Sequence, residues 1–471
     1  MGAKNGHLEV TAPHDGAVIG AVPLADAAGV EEALATAHAR YRDRDGWLPV
    51  RTRVAILQRL AELMAAQQED LARLAALEGG KPLADSRVEA GRAVDGVRLC
   101  IETIRTQAGD VVPVGGTAGG AGRVAFTTKE PIGVVVAVSA FNHPLNLIVH
   151  QVAAAVAAGC PVIVKPAEDT PLSCRRFVEL VHEAGLDPAW CRFLMPADLH
   201  LAEALVTDER VGFFSFIGSA KVGWMLRSKL APGTRCALEH GGAAPLFVAA
   251  DADLEAVVPA VLKGGYYHSG QVCVSVQRVF VARALAEAFT KRLVAGAEAL
   301  RVGNPLDEDT EAGPLIRPGE VERVHSWVQE TRDAGVTIAC GGQALEGNYY
   351  APTVIVDPPA DAKVSTQEIF GPVVCVYPYE DIEAAIDQAN DLPVAFQAAV
   401  FTSDIDLALR VMRRVDASAV MVNDHTAFRV DGMPFAGLRH SGLGVGGIPY
   451  TIRDMQIEKM LVVKSGALGT L

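Results

Sequence analysis

Short apolar runs alternate with helix-like stretches, and this alternation constrains the fold more than any other feature. The runs are "GVVVAVSA" (133–140), "PVIVK" (161–165), "GFFSF" (212–216) and "PLFVA" (245–249). Unbroken apolar runs of this length read as strands buried on both faces. Helical patterns separate them, as at 145–158 and 173–184. Strand, helix and strand in one sheet make a right-handed crossover, so the series predicts parallel sheets covered by helices on both faces. A second series runs from about 245 to 440. Ahead of both, residues 51–78 read as one amphipathic helix with Val54, Leu57, Leu60, Leu63 and Met64 on one face, closed by Gly79 and Gly80. The class is α/β.

Two segments break the alternation. "GGTAGGAGRVAFTTKEPIG" (115–133) is glycine-rich and then β-like, and "MQIEKMLVVK" (455–464) is a late strand. Both read either as arms leaving the body or as a surface hairpin and an ordinary edge strand.

With 471 residues, half of them hydrophobic, the chain can bury two or three cores. Its net charge is −14 and no Lys/Arg cluster stands out, which argues against nucleic acid or an anionic membrane as partner. The eight cysteines form neither a CxxC pair nor a Cys/His metal spacing. That predicts a reducing compartment and no metal site. The first residues carry no apolar signal core and the longest apolar runs are too short to span a bilayer, so a cytoplasmic location is expected.

Ligands of doubly wound sheets bind at the carboxyl ends of strands. Four predicted strand ends here carry unusual residues: Asn142 in "FNHPLN", Lys165 and Glu168 in "KPAEDTP", Gly218 and Ser219 in "IGSAKVG", and Glu239 in "EHGG". Singly, each has a plain reading: a helix cap, a solvated ion pair, a turn, a surface charge. Together they mark one edge of one sheet. Cys273, in "GQVCVSVQR" (270–278), reads alone as a small core thiol or as a nucleophile.

The stretches "LEGGKPL" (77–83), "EPIGVV" (130–135), "AFNHPLN" (140–146), "KPAEDTP" (165–171), "FIGSAKVG" (216–223), "LEHGGAAP" (238–245), "GQVCVSVQRV" (270–279), "EIFGPV" (368–373) and "MPFAGLRHSGLG" (433–444) resemble the aldehyde dehydrogenase superfamily, in its order and spacing. The resemblance implies a Rossmann-type cofactor domain (1–112 and 131–241), an α/β catalytic domain (242–447) and a small β oligomerisation arm (113–130 and 448–471), assembled as a homodimer or homotetramer. It makes Cys273 the catalytic thiol, Asn142 the oxyanion donor and Glu239 the general base that hydrolyses the thioester. Phe141, Lys165, Glu168, Gly218, Ser219, Glu368 and Phe370 would bind the cofactor. Glu168 would repel a 2′-phosphate, which favours NAD, with NADP possible.

The chain also departs from the family pattern. Ala243 stands where a lysine is common, the glycine-rich stretch near 195–205 is missing, "GVGG" (444–447) replaces "GREG", and Gln151 replaces a lysine. The last two remove a Lys/Glu pair that in many members lies near the general base. The expected pocket residues, His143, His150, Tyr267, His268, His425, Phe428 and Arg429, suit a small polar or anionic aldehyde: a semialdehyde, hydroxyaldehyde, sulfonate or phosphonate. Arg429 would hold the tail, helped by His150. His150 follows Asn142 by eight residues, a little over two helical turns, so both would face one cavity. Arg429 could instead be paired with Asp431. The function expected is oxidation of an aldehyde to the acid through a thiohemiacetal and a thioester. The alternatives are a CoA-acylating semialdehyde dehydrogenase, which would be expected to lack Glu239, and a non-catalytic relative, which would have no reason to keep Cys273, Asn142 and Glu239.

Overall fold

The computed structural model of the protein describes residues 3–4 and 6–468. Residues 1, 2 and 5 of the expected cofactor domain and 469–471 of the expected arm lie outside the described residues.

The first strand series forms a six-stranded sheet in the order 442–443, 235–239, 211–217, 134–138, 162–165, 191–193. All neighbours are parallel except the antiparallel edge at 442–443. The chain lays down 134–138, 162–165 and 191–193 outward to one side, then returns to place 211–217 and 235–239 on the other. The strand order therefore reverses between 134–138 and 211–217, which opens a crevice beyond their carboxyl ends. The second series forms a seven-stranded sheet in the order 337–340, 353–356, 373–379, 276–282, 244–248, 397–401, 419–422, parallel but for 337–340. Only residues 240–243 separate Glu239, at the carboxyl end of the first sheet, from Ala244, which starts a strand of the second.

Differences from the sequence reading have local causes. The helix expected over 51–78 is two helices, Val50–Ala66 and Gln68–Gly79, broken where Gln67 leaves helical geometry (φ −115°, ψ 20°). The apolar face continues across the break, which hides it from periodicity. Gly80 then takes φ 73°, and a Cβ there would meet Pro314 at 2.8 Å and Pro13 at 2.9 Å. The stretch 145–158 is helical from Asn146, but Val149–Ala153 widens into a π turn that carries His150 and Gln151. Such turns recur at functional sites. Asn142 lies in the turn before this helix, so the helical-spacing argument joining it to His150 does not apply.

Strand Gln456–Lys464 pairs antiparallel with Arg123–Pro131 along its whole length, joining the two segments that broke the alternation. Ile448, Ile452 and Met455 pack into the core of the first sheet, so extended structure in the expected 448–471 segment begins at Gln456. Strand 442–443 likewise crosses the expected boundary to edge the first sheet. A hairpin over His7–Thr11 and Val18–Pro23 was not read from the sequence.

Candidate active site

Strand 134–138 delivers Asn142 to the crevice. The Asn142 amide donates to the Gln271 carbonyl at 2.9 Å, two residues before Cys273. Its own carbonyl accepts from Lys81 Nζ at 3.3 Å. Lys81 is fully buried and ion-paired with Glu89, whose other oxygen accepts the Leu145 and Asn146 N–H groups at 2.9 Å each. A buried ion pair thus fixes the Asn142 turn. Breaking such a pair on one side strands a charge and typically costs about 3–5 kcal/mol.

Cys273 sits in the loop between helix Leu254–Tyr266 and strand Val276–Ala282. His268, Ser269 and Gly270 are consecutively left-handed (φ 49°, 53°, 69°). Non-glycine residues in this region cost of order 1–3 kcal/mol each and cluster at active sites. The strain is held by anchors: Ser269 Oγ donates to Gly313 O at 2.6 Å, and the Gln271 amide spans Pro314 O (3.2 Å) and Ile316 N (3.0 Å). A Cβ at Gly270 would lie 2.1 Å from Gly371 O. Burial pushes the Cys273 thiol to about 12; Arg429 opposes this, while Glu368 and Glu239 add to it. These four groups therefore share one electrostatic neighbourhood.

Glu239 ends strand 235–239, and burial raises its carboxyl above the usual range, with Arg429 opposing. Its Oε1 lies over Gly446, where a Cβ would stand 2.2 Å away. The sequence departures meet at this point. With no side chain at 446, the Glu239 carboxylate takes that space. Gln151 turns instead to the sheet, donating to Val138 O (3.2 Å), Ser215 O (3.1 Å) and Ser215 Oγ (3.0 Å).

The remaining expected residues line the crevice. Buried Lys165 pairs with Glu168. Burial alone would raise the Glu168 carboxyl, but Lys165 outweighs it and holds it below its usual range. Gly218 and Ser219 precede helix Ala220–Arg227; Ser219 makes no side-chain cap, and the Val222 N–H turns back to the Ser219 carbonyl at 3.1 Å, which leaves the first two helix amides for an anion. Glu368 is half-buried, its buried Oε1 has no hydrogen-bond partner, and desolvation pushes its carboxyl to about 8. It fits only because position 241 is glycine: a Cβ there would stand 1.5 Å from Oε1. Phe141 and Phe370 meet edge to face at 5.7 Å. A dinucleotide fits this set. It would find a paired Lys/Glu for one ribose, the first amides of a helix for the pyrophosphate and an unpartnered carboxylate oxygen for the other ribose.

The structure changes the reading of the substrate residues. His150 Nε2 donates to Asp431 Oδ1 at 2.8 Å, and Nδ1 faces Arg429 Nη2 at 3.4 Å. Burial, with Arg429 adding, lowers its pKa to about 4, so His150 is neutral and both nitrogens are committed. It positions Arg429 rather than offering a second positive charge. Asp431 pairs with Arg92 through both oxygens (2.7 and 3.1 Å) and not with Arg429. Arg429 lies 3.6 Å from the Phe435 ring centroid, its Nε has no partner, and no carboxylate among the described residues forms an ion pair with it. Of the other expected pocket residues, His143 bonds Tyr267, His268 is fully buried beneath the loop, His425 is half-buried and Phe428 is exposed.

Lys81, Glu89, Arg92, Gln271 and Phe435 had no assigned role in the sequence reading. Lys81 lies in the Gly-Gly-Lys-Pro turn between helices Gln68–Gly79 and Leu83–Thr106, and its pairing with Glu89 carried no local sequence signal. Nothing local marks Arg92, whose partner Asp431 is distant in the chain.

A sequence model of the aldehyde dehydrogenase family matches residues 1–461. The chain is 38% identical over 411 residues to a 3-sulfolactaldehyde dehydrogenase of Priestia aryabhattai, covering 87% of this chain and 86% of that one. Aldehyde dehydrogenase 21 of Physcomitrella patens, solved with the product succinate, superposes with a TM-score of 0.95 at 33% identity, covering 100% and 97% of the two chains. A glyceraldehyde-3-phosphate dehydrogenase of Methanocaldococcus jannaschii, solved with NADP, gives 0.93 at 32% identity, covering 98% and 100%.

Proposed function

Because the chain belongs to the aldehyde dehydrogenase family, we propose that it oxidises a small aldehyde with an anionic tail to the carboxylic acid, using NAD(P) and Cys273 as nucleophile. The observation that carries the choice of substrate is Arg429: a half-buried guanidinium in the electrostatic neighbourhood of Cys273 and Glu239, with its Nε buried and unpartnered and no ion pair to a carboxylate among the described residues. Glu239 and Asp431 stabilise this partly desolvated guanidinium without a direct ion pair, and an anionic ligand would supply that direct pair. The three relatives named above handle a sulfonate, a carboxylate and a phosphate, which agrees with this reading.

In this mechanism Cys273 releases its thiol proton to solvent and the sulfur attacks the aldehyde carbon, opening the C=O double bond to an oxyanion. The new oxyanion faces the Asn142 amide and the Cys273 N–H; losing one such donor costs about 100-fold or more. Lys165, Glu168 and Glu368 would hold NAD(P), whose oxidised nicotinamide would supply the hydride acceptor and a positive charge that favours the thiolate. The aldehyde C–H bond breaks with loss of hydride, the oxyanion closes to C=O, and a thioester remains on Cys273. Glu239 removes a proton from water as it attacks the thioester carbon; the C–S bond breaks, and the acid and the Cys273 thiolate are released. The retained Glu239 favours water over CoA as acyl acceptor.

The six-stranded sheet would be the cofactor body and the seven-stranded sheet the catalytic body. All eight cysteines are free thiols, in keeping with a cytoplasmic location. No helix among the described residues is long and apolar enough to cross a membrane.

The test is NADH absorbance with sulfolactaldehyde, succinic semialdehyde and neutral butyraldehyde, with and without CoA, using Cys273→Ala as the inactive control. A charge-assisted bond is worth about 1.5–3 kcal/mol, so Arg429→Ala should raise KM about tenfold or more for the anions alone. Equal loss for all three aldehydes would make Arg429 structural. A wild-type preference for butyraldehyde would end the anionic reading.

A further inference from the structure

In the hydrolytic mechanism proposed above, each turnover leaves a proton on Glu239, which is half-buried and has no side-chain hydrogen-bond donor among the described residues. Glu239 lines a small internal cavity with Gln151, Ser215, Gly446, Thr451 and Asp454. Its volume of about 10 Å³ is roughly what one water needs. Gln151 is 1% exposed and its Oε1 has no hydrogen-bond partner, so the cavity wall includes a buried acceptor calling for a donor. Nε2 of the same amide is already committed to Ser215 and Val138. Asp454 ends helix Ile448–Asp454 and also lines a second, open groove of about 610 Å³ with Arg227, Arg235, Cys236 and Gly444. One carboxylate thus borders both the closed cavity and the solvent-facing groove.

We propose that Asp454 is the proton outlet for Glu239, working through a water held in this cavity. The proposal rests on the hydrolytic reading above. The protonated Glu239 gives its proton to the cavity water, which releases another to the Asp454 carboxylate. Asp454 passes that proton to solvent in the groove, and both carboxylates return to their starting state. No atom is consumed and no oxidant is needed. The groups facing Asp454 allow such an exchange. Burial raises its carboxyl, while Arg453, the Val445 N–H and Arg235 oppose that rise. The route explains how the chain functions with glutamine at 151 and glycine at 446. A shared cavity, rather than a chain of charged side chains, links the base to the surface.

The experiment is rapid mixing of the full-length enzyme with NAD and a substrate aldehyde. NADH is followed by absorbance, and acyl-enzyme on Cys273 by quenching and intact-mass measurement. Asp454→Asn should leave the NADH burst unchanged and slow acyl-enzyme decay at neutral pH by about fivefold or more. Added imidazole, small enough to enter the groove, should restore the decay rate in proportion to its concentration, and Asp454→Glu should behave like wild type. A wild-type decay rate in Asp454→Asn would overturn the relay. So would slowed decay that imidazole does not relieve, or an equal loss of burst and decay. Absence of any acyl-enzyme in the wild type would overturn the hydrolytic reading itself, a result distinct from failure of the relay.

Discussion

Glu239 can accept a proton only as the carboxylate, and burial raises its pKa above the ordinary carboxylate range. The sign follows. As pH falls through that raised value the base is lost, so hydrolysis of the acyl-enzyme should fail at a higher pH than a solvated glutamate would allow. Single-turnover decay measured against pH should show this acid limb, and the limb should vanish in Glu239→Gln. That variant should keep its NADH burst and then turn over slowly; a lost burst would assign Glu239 to activating the thiol. The alternative has a physical basis, because burial also pushes Cys273 to about 12 and the thiol rests protonated at neutral pH. Arg429 favours both charged forms. At this scale Cys273, Glu239 and Asn142, the residues proposed as nucleophile, base and oxyanion donor, could be picked out of the sequence because each lies in a short motif. The role of His150 was not. Its ring is set by Asp431 and Arg429, which are remote in sequence, and its burial leaves it neutral.

At the scale of elements, apolar runs located the parallel strands because their side chains are buried on both faces. The break at Gln67 and the π turn at Val149–Ala153 were not legible, since neither interrupts the apolar pattern. The Cys273 loop was legible as a motif but not as a strained one; its left-handed run includes His268 and Ser269, residue types that carry no warning. The segment Gly444–Gly447 looked like the loss of a family feature and proves to be a fit. The Gly446 backbone runs beside Phe435, accepting its N–H at 3.0 Å and donating to its carbonyl at 2.7 Å, and cannot retreat without breaking that bridge. A Cβ at 446 would stand 2.2 Å from Glu239 Oε1 and 3.0 Å from Phe435 O. Gly446→Ala should therefore displace the Glu239 carboxylate, slow acyl-enzyme hydrolysis about tenfold, spare the NADH burst, and lower stability by about 1–3 kcal/mol as overpacking does. Unchanged hydrolysis would mean that Glu239 works from another position.

For the whole molecule, the three-stranded sheet 456–464, 123–131, 111–112 poses a problem of exposed surface. Strand Gln456–Lys464 lies at its edge and carries Met460, Leu461, Val462 and Val463 in succession, between 39% and 53% exposed. Consecutive exposed apolar residues place hydrophobic surface on both faces of one edge strand, and Phe126 and Val111 extend it on its neighbours. A long, flat, apolar edge with free backbone donors and acceptors invites pairing. We therefore expect a closed homodimer or homotetramer in which this arm seats on a second copy, with symmetry pairing like surface with like. Light scattering at micromolar concentration should give a mass of two or four chains, and a value at the 49.6 kDa of one chain would refute the assembly. Leu461→Arg with Val463→Glu should shift the mass toward one chain by burying charge in the contact. Cys273, Glu239, Asn142 and Arg429 all come from one chain and lie outside the arm, so released monomers should keep the NADH burst. Monomers lacking the burst would show instead that a second subunit shapes the site.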